Sequence, residues 1–332
     1  MVIKRLFTIG AALALSSVAI LSGCSSSPEK IRIGEVTRSL FYAPQYVAIE
    51  KGFFQEEGLD VELMTIPGGD KVMSALLSDG IEVALVGSET SIYVAQQGAA
   101  DPVINFAQLT QTDGTFLVAR EKTDNFSFDQ LKDSVFLGQR KGGMPQMVGE
   151  YVLKQHGIDP HGDLELIQNV EFKNIAASFA AGTGQYVQLF EPEASRFEQE
   201  GVGYVVASFG QESGTVPYTV YMAKQSYLES NADAIQKFTN AVYKGQQWVN
   251  SHSPKETAEV IAKYFDQISP EILESSVKRY LEQGSFATDP VLEEEEWNRL
   301  QDIMREAGEL NAPAEYGELV NTTFAEAAKE GK

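Results

Sequence analysis

The chain is poor in the residues that carry covalent and metal chemistry. It has one cysteine, Cys24, in 332 residues, so no intrachain disulfide can form and no catalytic thiol is expected. Its three histidines, His156, His161 and His252, do not fall in a HExxH zinc spacing. There is no GxSxG elbow, and no glycine-rich loop ends in Gly-Lys-Ser/Thr. Bases are scarce as well: 26 Lys and Arg stand against 47 Asp and Glu, a net charge of −21. That balance argues against nucleic acid and against binding to anionic lipid by charge. It leaves the charge of a small ligand open, because a cleft can differ from the global field. Beyond residue 21 no apolar run is long enough to span a bilayer.

What is present is an ordinary globular balance, 43% apolar and 22% charged, long enough for two cored lobes. Lys4 and Arg5 precede an apolar stretch over residues 6–21, shorter than the ~20 residues of a spanning helix. This predicts a secretion signal over residues 1–23, with an uncleaved anchor as the alternative. Leu21-Ser22-Gly23-Cys24 resembles a bacterial lipobox. The resemblance implies lipid on Cys24 as the first mature residue, followed by a tether over residues 24–30. Losing Lys4 and Arg5 with the leader takes the net charge to −23. The expected place is the extracytoplasmic face of the cell membrane, held by that lipid.

The rest of the chain is organised around APQYVAIEKGFFQEEGLDVEL, residues 43–63. Pro44 suits a first helical turn, and Tyr46, Ile49 and Phe53 recur at helical spacing beside Val47 and Phe54. Gly52 and Gly58 are placed to end helical turns, and Leu59-Asp60-Val61-Glu62-Leu63 alternates like a strand. With the apolar run 31–36 before it, the unit reads strand, polar loop, helix, strand. Further strands are predicted at 61–64, 82–86 and 103–109, with helices at 44–57, 70–77 and 89–97. After a turn at 112–114 the rhythm restarts. Strands are predicted at 115–119, 135–137, 164–168, 186–190 and 204–208, and a returning strand at 216–222. The helices between them are 127–131, 145–156, 174–181 and 192–199. From residue 230 the pattern is helical: 231–249, 254–265, 270–283, 290–308 and 315–329. Three of these open with proline near the first turn. The acids Glu293–Glu296 read as first-turn residues favoured by the helix dipole rather than as a metal site.

The run 43–63, then Gly68-Gly69-Asp70, then LLSDGIEVALVGSE (76–89), resembles the start of the solute-binding proteins of ABC importers. The nearest group serves sulfonates, nitrate and thiamine-type pyrimidines. GQRKGGMP (138–145) and YVQLFEP (186–192) are similar to its second lobe. The resemblance spans residues 31–250. It implies an α/β fold, the type II clamshell of periplasmic binding proteins, with C-terminal helices on the first lobe. The first lobe would comprise residues 31–113 and 216–332, the second 114–215. The implied partners are a small polar or heteroaromatic solute and ABC permease subunits, with the chain itself a monomer. No cofactor is expected. Crossings are placed at 112–115 and 212–216, where Gly114 and Gly214 can absorb backbone rotation.

Four loops should then face the cleft. TRSLFY (37–42) offers Arg38, Ser39 and Tyr42; Phe41 is either core or a second stacking ring. Gly87-Ser88-Glu89 begins a helix, where Ser88 serves as a ligand contact, a cap or both. In residues 138–145, Gly142 and Gly143 let backbone approach a ligand, and Arg140 is either a clamp for an anion or a surface residue. Glu191, after the strand 186–190, either accepts N–H groups from an aminopyrimidine or caps the next helix. Arg140 and Glu191 point to opposite ligand charges. Aminopyrimidine, sulfonate, nitrate and riboflavin-like solutes all stay open.

Two rival functions share the pattern. Thiamine-pyrimidine synthases resemble this family and use a histidine with bound pyridoxal phosphate, but no histidine here falls in a predicted cleft loop. A surface adhesin on the same fold would need a flat apolar patch.

Overall fold

The computed structural model describes residues 28–331, so the expected leader and Cys24 lie outside the described residues. The first sheet begins with β1 (Glu29–Glu35), β2 (Leu59–Thr65), β3 (Val83–Gly87) and β4 (Val103–Thr110). The second holds β5 (Thr115–Ala119), β6 (Val135–Leu137), β7 (Glu165–Ile167), β8 (Tyr186–Phe190) and β9 (Tyr204–Ser208). The chain then returns to the first sheet as β10 (Thr219–Lys224). The orders are β2-β1-β3-β10-β4 and β7-β6-β8-β5-β9. In each sheet four strands run the same way, and the strand that carries the chain across from the other lobe lies antiparallel between two of them. The result is a two-lobed α/β clamshell with two crossings.

The opening helix forms over Ala43–Glu50 and Phe53–Glu56, broken where Gly52 takes φ +77°. Tyr46, Val47 and Phe54 are fully buried, as the apolar stripe requires. The Ala232–Ser251 helix packs across both segments, and Thr323–Glu330 packs on its other side. Pro254–Ile261 joins this layer, so the tail completes the first lobe. Two tail helices also touch the second lobe. Pro270–Gln283 meets both the Leu40–Tyr42 turn and the Glu193–Glu200 helix, and Glu294–Glu306 meets Met144–Gln155.

The proline start expected at residue 290 is not there: the helix begins at Glu294, behind a Glu293/Glu296 capping box. Pro290 instead offers its carbonyl to Gln108 N–H at 2.7 Å, and Ala287 N–H donates to Leu109 O at 3.1 Å. This segment covers the outer edge of β4, which would otherwise expose a row of unpaired backbone groups. The last expected helix is likewise two pieces, Tyr316–Leu319 and Thr323–Glu330, because Val320 bridges to Asn105. Two short helices, Phe209–Ser213 and Gln225–Ser230, had no strong sequence signal. Among the described residues no helix is long and apolar enough to cross a membrane.

Candidate functional site between the lobes

The lobes meet through aromatic rings. Phe41, in the short turn Leu40–Tyr42, is 1% exposed and lies 6.0 Å from Phe190 at the end of β8. Tyr218 meets it edge-on at 5.4 Å, and Tyr280 from the tail lies at 5.2 Å. Gly114 is needed here for space: a Cβ would stand 2.9 Å from ring carbons of both Phe41 and Phe190. Tyr42 is buried beside Thr219, and both Glu35 and Glu89 lie within its electrostatic reach.

Arg38 and Ser39 serve this turn from within. Ser39 Oγ accepts from Phe41 N–H at 3.2 Å and caps it. Arg38 pairs with Glu35 at 3.3 Å and lies over the Tyr46 and Tyr264 rings. Glu35, buried at the end of β1, also accepts from Tyr46, Gln45 and Thr65. Arg38 is thus committed to an internal acid.

Ser88 is buried; its hydroxyl donates to Pro217 O, and its N–H donates to Tyr218 O at 3.2 Å. It ties the start of the Glu89–Gln96 helix to the returning chain and makes no side-chain cap. Glu89 beside it is 5% exposed, and its Oε2 has no hydrogen-bond partner. Burial pushes its carboxyl up to about 7, against the pull of its own backbone N–H and that of Met144. Met144 opens the Met144–Gln155 helix of the second lobe, so Glu89 reaches toward the opposite jaw.

Arg140 is half-exposed and pairs loosely with Glu171 at 3.6 Å, on the surface. Gly142 has φ +88° and donates its N–H to Gln146 Oε1, and Gly143 precedes the helix in extended conformation. Glu191 is turned into the structure. Its carboxylate accepts from Ser195 N–H and Oγ at 2.8 and 2.9 Å and pairs with Arg279 at 2.7 Å. The capping alternative is therefore the one formed, joined by an ion pair to a tail helix 88 residues away. Every acceptor of Glu191 is used inside the chain.

The sequence reading put Asp113 at a crossing and Tyr218 in the returning strand, and made neither a site residue. Asp113 is fully buried; its Oδ1 accepts from Thr115 N–H at 2.7 Å and from the Thr115 hydroxyl. Its Oδ2 has no partner, and burial pushes the carboxyl up to about 7. The Tyr218 hydroxyl faces this carboxyl without closing a well-aligned hydrogen bond. The available signal was an acid beside a glycine at a crossing, which reads equally as a turn.

A separate groove of about 300 Å³ lies under the tail, by Asp302 and Tyr316. Its one arginine, Arg305, is already paired with Asp302. It involves none of the cleft residues.

The NMT1-like family matches residues 25–265, and the chain belongs to it. The chain is 62% identical over 297 residues to the "Putative binding protein YtlA" of Bacillus subtilis, covering 90% of this chain and 89% of that one. It is 26% identical over 259 residues to the formylaminopyrimidine-binding protein of Halalkalibacterium halodurans, covering 74% of each. The fold is shared with the ligand-binding component of an ABC-type import system from Staphylococcus aureus. There the TM-score is 0.72 at 17% identity, over 90% of this chain and 99% of that one. That structure carries zinc; among the described residues here no cluster of three or more His, Cys, Asp or Glu could hold a metal.

Proposed function

We propose that the chain is the extracytoplasmic solute-binding component of an ABC importer. The mature chain, anchored by lipid on Cys24, captures a small solute between lobes 31–113 with 216–332 and 114–215, and hands it as a monomer to the permease. The observation that carries this is the seam between the lobes. Aromatic rings and buried acids from both lobes and both crossings converge there, and part of that polar surface has no partner in the chain. Two crossings act as the hinge, and closure needs a solute that binds the closed form better than the open one.

An enzyme of the thiamine-pyrimidine-synthase type is the weaker reading. His156 stacks on Phe128 and bonds Glu212, and His252 stacks on Trp248. His161 lies against Glu150 at the surface. These contacts leave no histidine at the seam.

The test starts from Cys24→Ser, which should release an unlipidated chain from the membrane fraction. Thermal-shift screening of that chain with aminopyrimidines, sulfonates and nitrate should find a stabilising solute. Small-angle scattering with that solute should then show a smaller radius of gyration. No stabilising solute, or a visible absorbance band from bound pyridoxal phosphate, would sink the importer reading.

A further inference from the structure

Three buried oxygens at the seam have no hydrogen-bond partner: Glu89 Oε2, Asp113 Oδ2 and Tyr218 Oη. Their residues are 5%, 0% and 5% exposed. They come from three separate places: the helix start after β3, the crossing between β4 and β5, and the return before β10. The backbone binds them together, since Ser88 N–H donates to Tyr218 O, and the Tyr218 ring packs on Phe41.

A buried carboxylate without a partner is costly, and the usual remedy is a nearby cation or a retained proton. Among the described residues no cation acts on either carboxyl. Around Glu89 stand Tyr42, Tyr93, Tyr218 and the Met144 N–H; around Asp113 stand Thr115, Tyr218 and Tyr280. Arg38 is paired with Glu35, although its buried Nη1 makes no hydrogen bond, and Arg279 is held by Glu191 and Glu198. Left to itself the chain compensates with a retained proton on each acid, and a cation from outside would take that proton's place.

We propose that the cleft selects a flat cationic solute with an N–H edge, such as an amidine, a guanidine or a protonated aminated heteroaromatic ring. Glu89 and Asp113 take its N–H groups, Tyr218 makes the third polar contact, and Phe41 and Phe190 part to cover its faces. This rests on the solute-binding reading above and deepens it. Nitrate or a sulfonate would face two acids there with no base acting on either, whereas a cation over aromatic faces gains on both counts.

The proton balance gives a signature. Burial holds both carboxyls up to about 7, and a cation binds only their ionised forms. Protons therefore leave as the cation arrives. Affinity for benzamidinium, charged throughout the range, should fall as pH drops from about 8 to about 6, by up to about tenfold per pH unit for each acid.

The experiment is calorimetric titration of the mature Cys24→Ser chain with benzamidine and, separately, sodium nitrate and methanesulfonate, at both pH values. Millimolar or tighter benzamidine binding with proton release is expected, and no heat from either anion. Glu89→Gln and Asp113→Asn should each weaken benzamidine at least tenfold and reduce the pH dependence, with unchanged circular dichroism. Binding of an anion but not of benzamidine overturns the solute class and leaves the importer reading standing. Benzamidine affinity that ignores both substitutions and pH overturns the site. Failure of every probe, together with failure of the wider solute screen, overturns both readings.

Discussion

Glu191 shows how one carboxylate is engaged by the fold on every side. It closes β8, caps the next helix through Ser195, and pairs with Arg279. Burial pushes its carboxyl up and Arg279 is the main opposing pull, so the pair holds a buried charge in place. Glu191→Gln keeps an acceptor for Ser195 but leaves Arg279 with only Glu198. The expected cost is about 1–3 kcal/mol of stability, read as a lower urea midpoint. Solute affinity should stay within about twofold, or ~0.4 kcal/mol. A tenfold loss of affinity with an unchanged midpoint would return Glu191 to the cleft. In the sequence both roles were open, because nothing near residue 191 announces a partner at residue 279. Asp113 was hidden for a different reason: a lone acid beside glycine is the commonest way to write a turn.

At the scale of elements, the close packing of two helices rests on Gly245. It faces the Ala43–Glu50 helix, where an added Cβ would overlap the Pro44 carbonyl and press on Ala48 Cβ at 3.0 Å. Two effects of Gly245→Ala oppose each other. Helix propensity favours alanine by about 1 kcal/mol. Overpacking against backbone costs about 1–3 kcal/mol, and a backbone carbonyl cannot swing aside as a side-chain tip can. The net expectation is a destabilised chain with an unchanged m-value. A higher urea midpoint would mean the helices part easily. Helix and strand identities were largely legible here, because periods of 3.6 and 2 are local. Edges were less so: Pro290 looked like a helix start, and only the uncovered side of β4 explains why its carbonyl serves Gln108 instead.

For the whole molecule, the two acids of the seam set a pH dependence. In the folded chain burial lifts Glu89 and Asp113 to about 7. Unfolded carboxyls titrate near 4, so the folded state holds the extra protons between about pH 4 and 7. The resulting stability is complete below about pH 4 and is lost as pH rises to about 7, by up to about 4 kcal/mol per acid. Self-repulsion of a chain with net charge −21 acts in the same direction. The solute-free protein should therefore unfold at lower urea at about pH 7.5 than at about pH 5.5, a window that brackets the shifted acids. Asp113→Asn should flatten that slope and raise the midpoint at the higher pH, even as it impairs cation binding. A level profile in the parent chain would mean that water or a counter-ion already serves both carboxylates.

The amino-acid sequence by itself determined the alternation of strand and helix, the restart of that alternation after residue 114, and the family the chain belongs to. Those are consequences of local spacing, of glycine and proline punctuation, and of residue runs such as 43–63. Only the tertiary structure decided which polar atoms are spoken for. Ser88 and Glu191 are consumed by partners that the fold brings from elsewhere, while Glu89, Asp113 and Tyr218 each keep an atom unmatched. Spacing along the chain sets which face of an element is buried. What that face meets depends on where the two crossings place the lobes, and hydrogen bonding is settled only by that meeting.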